Sequence, residues 1–198
     1  MSLRTAYSLY APFYDYAVAS VFRGARRRSL AALPLDNAAA VLLNGIGTGL
    51  DLPLLPPGRR YVGLDLTRAM LDRAVSRAAD GDFSAVQGDS LALPFANSSF
   101  DHAVLHLILT VARDSARVLA ETVRVVRPGG IILVLDKFLR PGQRAPLRRL
   151  LSPLAAHLAT QLDVVFEDVL RQVPGVRVLE DEPEAFGGWF RRIRLKRL

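Results

Sequence analysis

The chain has 198 residues, 51% of them apolar, no cysteine and a formal charge of +7. That length and composition predict one folded domain, and the absent cysteine excludes disulfides and thiolate metal sites. His102, His106 and His157 have no metal-ligand spacing, no apolar run is long enough to span a bilayer, and the N-terminus lacks the basic-then-apolar order of a signal peptide, so a cytoplasmic protein without a metal is expected.

Basic residues cluster at 23–28, 137–149 and 191–197. Such clusters suit either an anionic partner, nucleic acid or membrane, or simply a solvated Arg-rich surface. Residues 3–32 read as one or two helices broken near Pro12. Leu3, Tyr7, Tyr10 and Tyr14 recur at helical spacing, and Val18, Val21, Phe22 and Ala25 continue the face beside Arg23, Arg26, Arg27 and Arg28. The aromatics among them either staple the helix to the core or line a ligand site. A turn over 34–37 leads to a strand over 38–43.

That strand runs into Asn44-Gly45-Ile46-Gly47-Thr48-Gly49-Leu50. Alternate glycines allow positive φ and a close backbone approach to a ligand. A dinucleotide fingerprint wants its third glycine at the sixth position, where Leu50 stands instead. The proline-rich segment 51–57 predicts only a short helix. A second strand, 61–64, ends on Asp65, 20 residues after Gly45, where a second parallel strand presents a carboxylate to a ribose hydroxyl pair. Strand, glycine turn, helix, strand and acid predict a nucleoside-binding half-fold.

Thr67 is the expected cap of a helix over 67–79 with Met70, Leu71, Ala74 and Val75 inward. A strand over 83–87 ends in Gly88-Asp89-Ser90, and a strand over 100–108 carries His106. A helix over 114–126 stops at Arg127-Pro128-Gly129-Gly130, and a strand over 131–135 ends at Asp136. This β–α alternation predicts right-handed crossovers and a parallel sheet with helices on both faces. Beyond Pro141, Leu147, Leu150, Leu151, Leu154 and Leu158 form an apolar helical stripe with Arg144, Arg148 and Arg149 off it and a kink at Pro153. A short helix over 163–172 follows, then two strands, 176–180 and 189–195, expected as an antiparallel edge.

Four segments together resemble the class I S-adenosylmethionine-dependent methyltransferases of the type 11, ubiquinone-methyltransferase-like group. They are the Gly45–Gly49 loop; Val62-Gly63-Leu64-Asp65-Leu66 before Met70-Leu71; Gly88-Asp89-Ser90 with Pro94, before Ser99-Phe100-Asp101; and Val125 to Gly130. The resemblance implies a Rossmann-like fold with a mostly parallel seven-stranded sheet and an N-terminal helical lid. As a single domain it would divide into the lid (1–36), a cofactor half (37–136) and substrate-side helices with the last two strands (137–198). Tyr7, Tyr10, Pro12, Phe13, Tyr14 and Asp15, followed by an Arg-rich helix, and the run from His106 to Ala112 look like bacterial phosphatidylethanolamine N-methyltransferases. The N-terminal pattern is also similar, loosely, to quinone C-methyltransferases.

The resemblance implies S-adenosyl-L-methionine as cofactor and S-adenosyl-L-homocysteine as product. Gly45 and Gly47 would approach the amino-acid portion, Asp65 the ribose hydroxyls, Leu66 and Met70 the adenine faces, and Asp89 and Ser90 its polar edge. Asn44 stands where the superfamily usually has an acid, and its amide either holds the loop or reaches the cofactor's ammonium. His106 is either a packed core histidine or part of the site. Tyr7, Tyr14 and His106 are the groups expected to orient an amine acceptor or take its proton. The implied acceptor is a phospholipid at the anionic inner face of the cell membrane, met peripherally by a monomer or weak homo-oligomer. A quinone or small-molecule methyltransferase and a non-catalytic lipid-surface binding protein are the alternatives. Nucleic acid is not expected, since no Asn-Pro-Pro-Tyr-type motif follows strand four.

Overall fold

The computed structural model describes residues 22–36, 38–78, 82–142, 163–185 and 188–198. Tyr7, Tyr10 and Tyr14 and the stripe from Leu147 to Leu158 lie outside the described residues. Helical residues 22–30 (α1) lead to β1 (Ala40–Asn44), a 3-10 turn (Leu52–Leu54), β2 (Arg60–Asp65), α2 (Arg68–Arg77), β3 (Phe83–Gln87) and β4 (Phe100–His106). Then come α3 (Ser115–Val125), β5 (Val126–Lys137), α4 (Phe166–Arg171), β6 (Val176–Ala185) and β7 (Phe190–Arg197).

One seven-stranded sheet has the order β3-β2-β1-β4-β5-β7-β6. Its first five strands are parallel and β7 is antiparallel to β5 and β6. Side chains alternate across the pleat. Leu42, Leu105, Ile132 and Val134 pack with α3 and α4 on one face. Val41, Leu43, Val104 and Leu133 pack with Leu30, Leu71 and Ala74 on the other. Helices therefore cover both faces, as a doubly wound sheet requires.

Several boundaries differ from the sequence expectation. β1 begins at Ala40, because Ala38 has φ 62° and donates its N–H to Gly58. β4 stops at His106, because Leu107 turns left-handed at φ 61°. β5 extends through Arg127–Gly130. The final hairpin is antiparallel as expected, but β7 is an interior strand and only β6 is the edge. Val75, expected inward, is 53% exposed, since the contact stripe of α2 runs through Met70, Leu71 and Ala74. Thr67 is the N-cap residue of α2 but makes no side-chain capping bond. Asp114 does cap α3, accepting the Arg117 N–H at 2.9 Å.

Much of the basic character is neutralised within the fold. Arg28 pairs with Glu184, Arg191 with Asp181 and Glu167, Arg192 with Glu184, and Arg194 with Glu180. Among the described residues, Arg23 and Arg27 keep α1's outer side basic and exposed. No helix among the described residues is long and apolar enough to cross a membrane.

Candidate active site

β1 and β4 are neighbours, and from their carboxyl ends the chain leaves toward opposite flanks of the sheet. A cavity of about 380 Å³ opens there, in the crevice where open α/β sheets hold ligands. Its floor is the loop after β1. Gly45, Gly47 and Gly49 have φ of 71°, 57° and 81°. A Cβ on Gly45 would come within 2.7 Å of the Ile108 side chain, whereas one on Gly47 would meet nothing within 4 Å. Gly47 thus leaves bare backbone on the cavity side.

Asp65, at the end of β2, locks this loop. Its Oδ2 accepts the Gly47 N–H and its Oδ1 the Thr67 N–H, both at 2.9 Å. Burial raises its carboxyl above the ordinary value, with the backbone N–H bonds pulling the other way. Each oxygen still has a lone pair for a hydroxyl. Leu66 and Met70 line the wall beside it, and Asp89 and Ser90 another wall beyond β3. Asp89 is shaped by a local turn in which its Oδ1 accepts the Leu91 N–H at 2.9 Å.

Asn44 lies beneath the loop, 1% exposed, rather than on the cavity wall. Its Oδ1 accepts the Ser90 hydroxyl at 2.6 Å and its Nδ2 donates to Thr122 Oγ1 at 3.0 Å. Thr122 donates its own hydroxyl hydrogen bond to the Val118 carbonyl at 2.8 Å. Of the two uses open to Asn44, bracing the loop is the one this geometry provides. The Ser90 hydroxyl is likewise turned to Asn44, which leaves its backbone to face a ligand.

His106 lines the cavity but has no free ring nitrogen. Nδ1 lies 2.9 Å from Asp51 Oδ1 and Nε2 2.9 Å from Ser29 Oγ. Both ring nitrogens of His106 are thus engaged, and the side chain joins α1 to the glycine loop. Asp51 also holds Arg26, whose Nη1 is 2.8 Å from the same carboxylate oxygen. Burial alone would raise the Asp51 carboxyl, but His106 and Arg26 outweigh it and hold it well below the usual carboxylate range.

Arg26 was not among the site residues expected from the sequence. It is 7% exposed, lines the cavity, and its buried Nε has no partner. The available signal was periodicity: Phe22, Ala25, Arg26, Ser29, Leu30 and Leu33 form one inward stripe. The whole donor set fits S-adenosylmethionine. The Asp65 carboxylate would suit a diol, the apolar Leu66 and Met70 an aromatic base, and the bare Gly47 backbone a close approach between them.

Comparison with known proteins agrees with this geometry. Residues 42–134 match the Methyltransferase domain family. The chain is 31% identical over 189 residues to a phosphatidylethanolamine N-methyltransferase of Cereibacter sphaeroides, covering 93% of this chain and 92% of that one. It is 35% identical over 137 residues to a demethylmenaquinone methyltransferase of Renibacterium salmoninarum, covering 64% of this chain and 54% of that one. Its fold is similar, with a TM-score of 0.73 and 16% identity over 89% of this chain and 81% of the other, to geranyl diphosphate C-methyltransferase of Streptomyces coelicolor in complex with Mg2+, geranyl diphosphate and S-adenosyl-L-homocysteine.

Proposed function

Because the chain belongs to the S-adenosylmethionine-dependent methyltransferases, we propose that it N-methylates the headgroup of phosphatidylethanolamine and its methylated intermediates toward phosphatidylcholine. The observation that carries this reading is the extent of one likeness. Similarity to a phosphatidylethanolamine N-methyltransferase runs through nearly the whole of both chains. The quinone relative matches over about half of its own length.

The bound cofactor supplies a sulfonium-activated methyl group, so the protein's work is to position it and its acceptor. Asp65 takes the ribose hydroxyls, and Leu66 and Met70 flank the adenine. Asp89 and the Ser90 backbone meet its polar edge. Gly45 and Gly47 lie under the amino-acid portion. Asn44, His106, Asp51 and Ser29 brace that floor from below.

Tyr7 and Tyr14 are assigned to the acceptor from the sequence alone, since aromatic faces attract methylated ammonium groups by about 0.5–2 kcal/mol each. The exposed Arg23 and Arg27 on α1 support a peripheral approach to an anionic membrane surface, each worth about 1 kcal/mol near the lipid.

The test is transfer of labelled methyl from S-adenosylmethionine into vesicles containing phosphatidylethanolamine, with the lipids separated afterwards. Label in mono-, di- and trimethylated lipid supports the reading. Label in an added demethylquinone and none in lipid overturns it. That second reading is favoured by the quinone relative and by the apolar Leu107, Ile108 and Val111 on the cavity wall.

A further inference from the structure

The amino-acid tail of the cofactor offers a protein two charged handles, an α-ammonium and an α-carboxylate. The superfamily resemblance leads one to expect an acid before the first glycine, suited to the ammonium. Asn44 stands there instead, and its amide is engaged by Ser90 and Thr122.

The strand order β3-β2-β1-β4 sets the charged groups out along the crevice. Asp89 follows β3 and Asp65 ends β2, and among the described residues these are the two acids on the cavity wall. The glycine loop follows β1, and His106 ends β4 at the other end of the row. A nucleoside held by Asp65 and Asp89 therefore sends its tail toward the β1–β4 end. Two arginines among the described residues line the cavity, Arg26 and Arg113. Arg113 lies 3.9 Å from Asp89, at the nucleoside end. Arg26 stands at the tail end, because it shares Asp51, just past the glycine loop, with His106.

The glycine loop keeps few N–H groups for an anion. Gly45 and Ile46 both donate to the Leu64 carbonyl, at 2.9 and 3.0 Å, and Gly49 donates to the Ile46 carbonyl at 3.1 Å. Gly47 donates to Asp65 at 2.9 Å. Arg26 does keep a donor. Its Nη1 is 2.8 Å from Asp51 Oδ1, while its buried Nε makes no hydrogen bond. A buried N–H without a partner is costly, and a carboxylate brought to this guanidinium relieves that cost with a charge-assisted bond. No acid at the same end is placed for the ammonium. Asp51 is 4% exposed, is not part of the cavity wall, and already serves both His106 and Arg26.

We propose that Arg26 binds the α-carboxylate of the cofactor, and that this contact, rather than one to the α-ammonium, gives the amino-acid tail its charge recognition. The inference rests on the reading of the cavity as the cofactor's site and is independent of the acceptor. Asp51 fixes the guanidinium through Nη1, and His106 fixes Asp51. Recognition through the carboxylate leaves no task for an acid at position 44, which is why an amide can serve there as a brace. α1 then carries a ligand-binding arginine on its inner side and the exposed Arg23 and Arg27 on its outer side.

Calorimetry on the full chain compares three ligands. They are S-adenosyl-L-homocysteine, its decarboxylated analogue with hydrogen in place of the α-carboxylate, and its deaminated analogue with hydrogen in place of the α-ammonium. Loss of the carboxylate is expected to weaken binding about 10- to 100-fold, the range of a hydrogen bond to a charged group. Loss of the ammonium is expected to weaken it less than about fivefold, as for a charge that stays solvated. In Arg26→Gln the carboxylate penalty should shrink to within about threefold while the ammonium penalty stays as it was. Arg26→Lys keeps a cation for Asp51 but has no Nε–H, and it should lose most of the carboxylate penalty too. Equal penalties in the wild type, or a larger one for the ammonium, overturn the proposal. So does a carboxylate penalty that keeps its wild-type size in either variant. If Asp65→Asn binds all three ligands as the wild type does, the cofactor lies elsewhere, and the reading of the cavity falls together with the proposal.

Discussion

His106 Nδ1 lies 2.9 Å from Asp51 Oδ1, buried beneath the glycine loop. The carboxylate that receives it also holds Arg26, so one acid joins β4, the loop and α1.

Asp51→Asn is therefore expected to destabilise the protein by about 3–5 kcal/mol at neutral pH, as when one partner of a buried ion pair is removed. The folded carboxyl titrates well below its unfolded value. Its stabilisation is complete above the unfolded value of about 3.9 and fades as pH falls from there toward the folded value. Urea denaturation at neutral and acid pH checks this: the gap between wild type and variant should narrow only below about pH 4.

Asn44→Asp restores the acid that the superfamily resemblance leads one to expect, yet here it should destabilise. Thr122 accepts the Asn44 amide N–H and already donates its own O–H to the Val118 carbonyl. A carboxylate oxygen in that place faces a lone pair or forces Thr122 to abandon Val118, at a cost of about 1–3 kcal/mol. Thermal denaturation of the variant measures it. A variant as stable as wild type contradicts this account of Asn44.

Asp65→Asn bears on both binding and the loop that Asp65 locks. Burial raises the Asp65 carboxyl, so the folded chain holds a proton there more tightly than the unfolded chain. The ionised group opposes folding at neutral pH, and that burden lifts as pH falls through the folded value. In the variant an amide NH2 replaces one of the two oxygens that accept the Gly47 and Thr67 N–H groups, so the relief from burying a charge is offset by a lost backbone bond that costs about 1–3 kcal/mol. The variant should lose at least about tenfold in S-adenosyl-L-homocysteine affinity, since charged hydrogen bonds contribute about 1.5–3 kcal/mol each. Wild-type affinity should decline on the acid side beginning above an ordinary aspartate's value. Calorimetry across pH reads both effects.

Gly45→Ala and Gly47→Ala should differ in kind. At Gly47 the new methyl has open space and only the positive φ to bear, about 1–2 kcal/mol. It stands on the cavity side, so cofactor affinity falls while the fold survives. At Gly45 the methyl must also displace Ile108, so stability falls further. Paired urea melts and nucleoside titrations distinguish the two.

Much of this site was legible in the linear chain because its logic is local. Gly45, Gly47, Asp65, Leu66, Met70, Asp89, Ser90 and His106 all line the cavity. A parallel β–α alternation delivers every strand end to one edge, so residues at strand ends must converge whatever the packing details. Strand polarity and the antiparallel last pair follow from the same periodicity, while the seven-strand count is what the family resemblance implies.

What only the tertiary structure decided is which polar atoms meet. Arg26 stands among arginines that look alike in sequence, and helix rotation alone turns it to Asp51 while Arg23 and Arg27 face outward. His106 carries the chemistry of a proton acceptor, but Ser29, 77 residues away in the chain, occupies its second nitrogen. Lys137 reads as one member of a basic cluster until Thr110 and Asp136 enclose it. Hydrophobic periodicity fixes which face of an element turns inward, because burial of area is non-directional. A hydrogen bond depends on distance and angle between atoms remote in sequence, and those are set only when the elements pack.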